Sequence, residues 1–186
     1  MPDISIHTND NALLASFKDE RSREAVFTVI VRKYQERLYW HIRRMVVEHE
    51  DTNDILQGVF IKMWHNLADF RGDSALFTWL YRITTNETLT WLEREKKRRN
   101  RSADYDEGTM SGRVTEQSGY DAQKIEWKLQ QAMHALPEKQ RLVFSLRYYD
   151  EMPYEEMSKV LNTSEGALKA SYHHAVKKVE EHLKTH

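Results

Sequence analysis

The chain has 186 residues, 40% hydrophobic and 31% charged, a balance that fits one globular domain or two small ones and excludes a fibre or a disordered tail. Its formal net charge of -1 gives no argument for nucleic-acid binding from bulk charge, so any such argument must come from where the charges sit. The absence of cysteine excludes disulfides, thiolate nucleophiles and cysteine zinc sites, and accords with a reducing cytosol.

Six glycines and three prolines punctuate the chain too rarely for a many-stranded sheet, and an all-α fold is expected. The opening MPDISIHTND has no basic region followed by an apolar core, and no run approaches the roughly 18 apolar residues of a membrane helix. Export and membrane spanning are not expected.

Apolar residues recur three and four apart from Asn11 to about Trp91, as in Ala25, Val29, Val31, Tyr34, Leu38 and Ile42. The pattern predicts a short helix from Asn11 to Lys18, a long one from Ser22 to Val47, a third from Thr52 to Leu67 and a fourth from Ser74 to about Arg99. Breaks fall at the polar clusters EHEDTND and DFRGDS. On the fourth helix Leu76, Leu80, Ile83 and Trp91 make a core stripe. Trp79, Arg82, Asn86 and Thr90 make a neighbouring stripe that is not core-like. It leads into WLEREKKRRNR, where Arg94, Lys96, Lys97, Arg98, Arg99 and Arg101 concentrate positive charge hidden in the chain total. Rings beside a basic run suit single-stranded nucleic acid, because rings stack on unpaired bases and cations follow the backbone. The plainer reading is a buried Trp79 and a solvated helix end.

Residues 100–120 hold three of the six glycines and show no period, as expected of a flexible linker between two domains. Asp104, Asp106 and Gly108 do not match a calcium loop, since the glycine is not at the sixth position and no glutamate stands at the twelfth. Beyond the linker, helices are predicted over 122–135 and 138–149, with Pro137 opening the second. MPYEEMSKVLN supplies a third. Asn162 suits a left-handed turn and Thr163-Ser164 an N-cap for a last helix from Glu165 to Leu183. This is the spacing of a helix-turn-helix. In the last helix Leu168, Tyr172, Ala175, Val176 and Val179 should pack on Met157, Val160 and Leu161. Gly166, Lys169, Ala170, His173 and Lys177 form an opposite stripe of small residues and donors suited to a DNA groove.

Three motifs in order give the chain a family resemblance. DILQGVFIKMW, FRGDSALFTWLYRITTN and LPEKQRLVFSLRYYDEMPYEEMSKVLNTSEGALKASYHHAVKKV resemble, respectively, the polymerase-docking and promoter-opening parts of region two and the whole of region four of bacterial RNA polymerase sigma factors. The resemblance is to the small two-domain extracytoplasmic-function group. It implies a region-two domain over 1–99, a flexible linker over 100–121 and a region-four domain over 122–186.

By resemblance, Asp54, Gln57, Phe60, Lys62 and Trp64 lie at the core RNA polymerase contact. Arg71, Gly72, Asp73 and Ser74 belong to a loop that captures a flipped base of the minus-ten element, with Trp79, Arg82, Asn86, Lys97 and Arg98 along the DNA. Ser164, Glu165, Lys169, Ser171, His173, His174 and Lys177 face the minus-thirty-five element. Ser171 stands where many relatives carry arginine, and Gly58 where glutamate is frequent. The implied partners are core polymerase, duplex promoter DNA and its melted non-template strand. The family often adds an anti-sigma factor, which no residue of this chain identifies. Neither a cofactor nor a metal is implied, because the polymerase does the chemistry.

Two other functions fit the sequence less well. A helix-turn-helix regulator acting without polymerase leaves DILQGVFIKMW and the Trp79 stripe unexplained. A metal nuclease built on Asp51 and Asp54 lacks an evident third ligand.

Overall fold

A computed structural model describes residues 7–46, 48–102 and 121–185. The described residues are helical, with no strand among them. Most of the expected linker, including Asp104, Asp106 and Gly108, lies outside the described residues.

Helix α1 (Asp10–Phe17) starts at Asn9, whose side-chain oxygen accepts the Asn11 N–H at 2.8 Å, satisfying one of the orphan donors of the first turn. Asp10 anchors it to α2 (Arg23–Arg43) by accepting from the Tyr34 hydroxyl at 2.6 Å and from Lys33 at 2.7 Å. In α2 the buried series is Val26, Ile30, Tyr34, Leu38 and Ile42, strict i+4 steps that stack on one face. The expected phase was partly wrong. Ala25 is exposed and Val29 and Val31 are only partly covered, because the larger Val26 and Ile30 claim the core.

The helix also ends earlier than Val47. A tight turn follows Arg43, in which the N–H groups of Met45 and Val46 both reach the Ile42 carbonyl. Met45 and Val46 are buried by this turn, so their apolar character reports tertiary burial and not helical period. Helix α3 (His49–Asn66) starts before Thr52. Thr52 is buried inside the first turn, its hydroxyl donating to the Glu48 carbonyl at 2.8 Å. A 3-10 turn (Leu67–Asp69) and a short loop lead to α4 (Leu76–Ser102). That helix runs past the expected Arg99, and α5 (Asp121–His134) begins at the last residue assigned to the linker.

Helices α6 (Glu138–Tyr148), α7 (Tyr154–Leu161) and α8 (Glu165–Thr185) complete the second group. Pro137 and Pro153 stand just before their helices as caps, where a missing N–H costs nothing. Asn162 has φ 48° and ψ 47°, the left-handed conformation expected of it and one that asparagine tolerates. Leu142, Val143, Phe144, Ser145 and Leu146 are all buried. A helix buried on every side must be covered on every side. Phe144 joins Ala132, Met133, Leu136, Ala175 and Val179 in one cluster. Leu142, Val143 and Leu146 join Met152, Met157, Val160 and Leu168 in a core continuous with that of α1–α4. Thus only the first part of the α8 apolar face packs on Met157 and Val160. Ala175 and Val179 pack on α5 and α6 instead, a correction that follows from α8 outrunning the eight-residue α7.

The two helical groups touch through polar contacts as well. Asp150 accepts from Arg44 at 2.9 Å and lies 3.4 Å from His41 Nδ1. The Thr78 hydroxyl donates to Glu156, and the Arg44 guanidinium lies 4.3 Å from the Tyr149 ring centre.

Candidate nucleic-acid interface

Three surfaces carry the residues singled out by the sequence. On α3 a groove of about 510 Å³ is lined chiefly by Phe27, Leu56, Gln57, Phe60, Ile61 and Trp64. Trp64 is set edge-on against Phe27 and Phe17 at 4.9 and 6.0 Å, so its ring builds the groove wall and the core together. Gln57, Phe60 and Trp64 are therefore brought together. Asp54 is exposed about one helical turn before Gln57 and does not line the groove. Lys62 is on another face and pairs with Glu87 of α4. Sequence reasoning missed Ile61, which is 53% exposed. The signal was available in the helical angle, which sets Ile61 about 200° round from Val59 and so away from the buried Ile55, Val59 and Met63.

The loop before α4 holds Arg71, Gly72 and Asp73, all exposed. Gly72 has φ +79°, a conformation that glycine adopts without strain. Ser74 turns its hydroxyl inward, where no group among the described residues bonds it. Phe70 packs on Trp79 with ring centres 5.3 Å apart. Trp79 is partly buried, with one side of its ring on the core. Leu76 and Leu80 are buried and Ile83 and Trp91 partly so, as the core stripe required.

Arg82 and Asn86 are exposed on the turns that follow Trp79. At 100° per residue Trp79, Arg82, Asn86, Thr90, Lys97 and Arg101 share one side of α4, and from Trp79 to Arg101 the stripe is about 33 Å long. Its far end is a cleft formed by Arg94, Lys97, Arg98 and Arg101. The basic run is not uniformly available. Glu95 accepts from Arg98 and Arg99, each at 2.9 Å, and these hydrogen bonds hold its carboxyl below the usual range. The cleft nevertheless presents four cations, which attract a phosphate backbone.

In α8 Gly166, Lys169, Ala170, His173, His174 and Lys177 are exposed, while Leu168, Ala175 and Val179 are buried. Ser164 caps the helix by accepting the Ala167 N–H at 3.4 Å. Glu165 pairs with Lys169 at 3.2 Å, and the Lys169 ammonium lies 5.4 Å from the Tyr154 ring centre. This holds Lys169 between the first residues of α7 and α8. Ser171 is not on the exposed stripe; it lies to one side and is partly covered. Gly166 and Ala170 keep the stripe shallow, which lets the helix backbone approach a groove closely.

Comparison with known proteins bears on the family of the chain. The model of the sigma-70 region 2 family matches residues 30–98, and that of sigma-70 region 4 matches residues 126–179. The chain is 30% identical over 160 residues to the ECF RNA polymerase sigma-E factor of Escherichia coli K12, covering 81% of this chain and 83% of that one. It is 29% identical over 172 residues to the RNA polymerase sigma-H factor of Pseudomonas aeruginosa, covering 88% and 89%. Among solved structures it resembles CnrH in complex with the cytosolic domain of CnrY, with a TM-score of 0.69 at 22% identity over 95% of this chain and 97% of that one. It also resembles the sigma factor RpoE from Bartonella quintana in complex with the anti-sigma factor NepR, with a TM-score of 0.69 at 20% identity over 85% and 96%. These two likenesses establish the shared fold.

Proposed function

We infer what this chain does from its family: it belongs to the sigma-70 factors of bacterial RNA polymerase, in the extracytoplasmic-function group. It binds core RNA polymerase and directs promoter-specific initiation of transcription. The observation that carries the residue-level reading is the single stripe on α4, which joins a half-buried ring beside a glycine turn to a basic cleft.

The division of labour follows from the three surfaces. The groove at Gln57, Phe60, Ile61 and Trp64 docks the polymerase, with large rings giving buried area and Asp54 and Gln57 giving register. Lys62 braces α3 against α4 through Glu87. At the minus-ten element the loop Arg71–Ser74 receives an extruded base while Trp79, Arg82 and Asn86 hold the separated strand. Extrusion costs a few kcal/mol of stacking and pairing, which a fitted loop and a stacked ring offset. Lys97 and Arg98 follow the backbone upstream. The exposed stripe of α8, led by Lys169, His173 and Lys177, reads the minus-thirty-five duplex, with Ser164, Glu165 and His174 at its edges. Ser171 is left to the margin. We assign residues 1–99 to region two, 100–121 to the linker and 122–186 to region four.

The chain's part is non-catalytic. Thr85, His41 and Asp150 form a hydroxyl, imidazole and carboxylate series, with 3.0 Å from His41 Nε2 to Thr85 and 3.4 Å from Nδ1 to Asp150. Thr85 is buried, so no substrate can reach its hydroxyl and the series is structural. No described helix is long and apolar enough to cross a membrane, and we place the protein's action in the cell interior. An anti-sigma factor belongs to the reading as a regulatory partner, because one structural relative is bound to the anti-sigma factor NepR and the other to the cytosolic domain of CnrY.

Run-off transcription with purified core polymerase tests the function. Promoter-specific transcripts are expected only when this chain is added. Tight, specific duplex binding by the chain alone, without stimulation of polymerase, would replace the sigma reading with that of a self-sufficient helix-turn-helix regulator.

A further inference from the structure

Tyr148, the last residue of α6, is 52% exposed, yet its ring is fixed. It stacks on the buried Phe144 with centres 5.1 Å apart and planes 21° apart, and Phe144 stacks in turn on Tyr172 of α8 at 5.8 Å and 26°. Tyr149 closes edge-on from the side at 4.9 Å. Three near-parallel rings thus run from the surface of α6 to α8. The Tyr148 hydroxyl itself bonds no group among the described residues.

The stack ends beside the face of α8 assigned to DNA. At 100° per residue Tyr172 is about 60° from Lys169 and about 100° from His173 around the helix, so it borders the exposed stripe without belonging to it. On the same border the Arg147 guanidinium and the Lys169 ammonium each lie 5.4 Å from the Tyr154 ring centre. Burial first, then the Tyr154 hydroxyl, raises the Tyr172 pKa; the charge of Arg147 opposes them, and the Tyr148 hydroxyl adds to them. The three hydroxyls therefore share one small surface with a guanidinium.

A helix seated in the major groove turns one face to the base edges and its flanks to the two backbones. The flank next to Lys169 meets phosphates, and tyrosine is among the side chains that bond them. A ring already pinned has little rotamer freedom left to lose, so its hydroxyl is presented at small entropic cost. We propose that Tyr148 is a phosphate-contacting residue of the minus-thirty-five complex: its hydroxyl donates to one backbone phosphate, and the stack through Phe144 to Tyr172 ties that contact to α8 and sets the angle at which the stripe enters the groove. This rests on the region-four reading. A neutral donor displaces no counterion, so the contact adds affinity without adding salt dependence, in contrast to a lysine such as Lys177.

Tyr148→Phe removes one oxygen and keeps the stack. In holoenzyme, on the promoter duplex that supports run-off transcription, the variant should bind about tenfold more weakly, the effect of one hydrogen bond to a charged group. Its slope of log affinity against log salt should match wild type, whereas Lys177→Ala should reduce the slope by about 0.9. Replacing the phosphates of the upstream element one at a time by methylphosphonate locates the contact: at one position wild type should lose about tenfold and Tyr148→Phe nothing further. Wild-type affinity in Tyr148→Phe, or the same interference pattern in both proteins, would overturn the proposal. So would weaker binding of Tyr148→Phe to core polymerase with DNA affinity unchanged, which would set the ring against protein. If the wild-type chain gives no run-off product, the sigma reading fails, whereas interference on a duplex bound by the isolated chain still decides the role of Tyr148.

Discussion

Acidification should destabilise this protein through His134, at the end of α5. Its Nδ1 lies 3.1 Å from Arg141 Nη1, and a guanidinium can only donate, so Nδ1 accepts and carries no proton. Burial first, then the charges of Arg141 and Arg43, lower the His134 pKa from its ordinary 6.5 to about 4. The folded-state value is below the unfolded one. The stability contribution is therefore fully present above pH 6.5 and is lost as the pH falls toward 4. Between pH 7 and pH 5 the unfolded chain takes up a proton that the folded chain largely refuses, a loss of about 2 kcal/mol. Urea unfolding of wild type and of His134→Gln at both pH values isolates this, because glutamine keeps an acceptor for Arg141 and cannot titrate. Wild type should lose about 2 kcal/mol more than the variant. Equal losses would refute the assignment of a buried neutral imidazole.

Other expectations are simpler to check. Ile61→Glu, at a position 53% exposed, should leave the melting temperature unchanged and weaken core-polymerase binding by at least about tenfold in a pull-down titration, the cost of a charge placed in an apolar contact. Trp79→Ala should allow holoenzyme assembly but slow promoter opening; permanganate footprints at the minus-ten region matching wild type would count against a strand-holding role. Gly58→Ala should stabilise α3 by about 1 kcal/mol in urea, because an added Cβ meets nothing within 4 Å.

What could be read from the sequence was what is local. The left-handed turn at Asn162 and the cap at Ser164 depend on side chains beside them, and both were foreseen. The core and outer stripes of α4 were legible because a 27-residue helix repeats its period many times. The phase of α2 was not, since Ala25, Val29 and Val31 compete with Val26 and Ile30 and only the neighbouring helices decide. Met45 and Val46 extended the helical pattern while belonging to a turn. Ser171 and Lys62 were placed by motif position, but helical angle turns one away from the exposed stripe of α8 and the other toward α4. The Asp150 contact had no local signal at all. Its partner Arg44 is 106 residues away, and an aspartate in a turn is ordinary until the fold brings a guanidinium and an imidazole to it.

The continuity of α4 makes it a ruler with a phase. Trp79 and Arg101 are joined by unbroken helix, so the distance between the Trp79 ring and the basic cleft cannot stretch, and their relative angle is fixed by residue count. Inserting one alanine between Asn86 and Lys97 would swing the cleft about 100° away from the strand, whereas inserting seven would return it to within about 20° but carry it about 10 Å further along. On the proposed reading, the chain measures the upstream edge of the transcription bubble in helical turns, and its register on the promoter is written in the length of one helix.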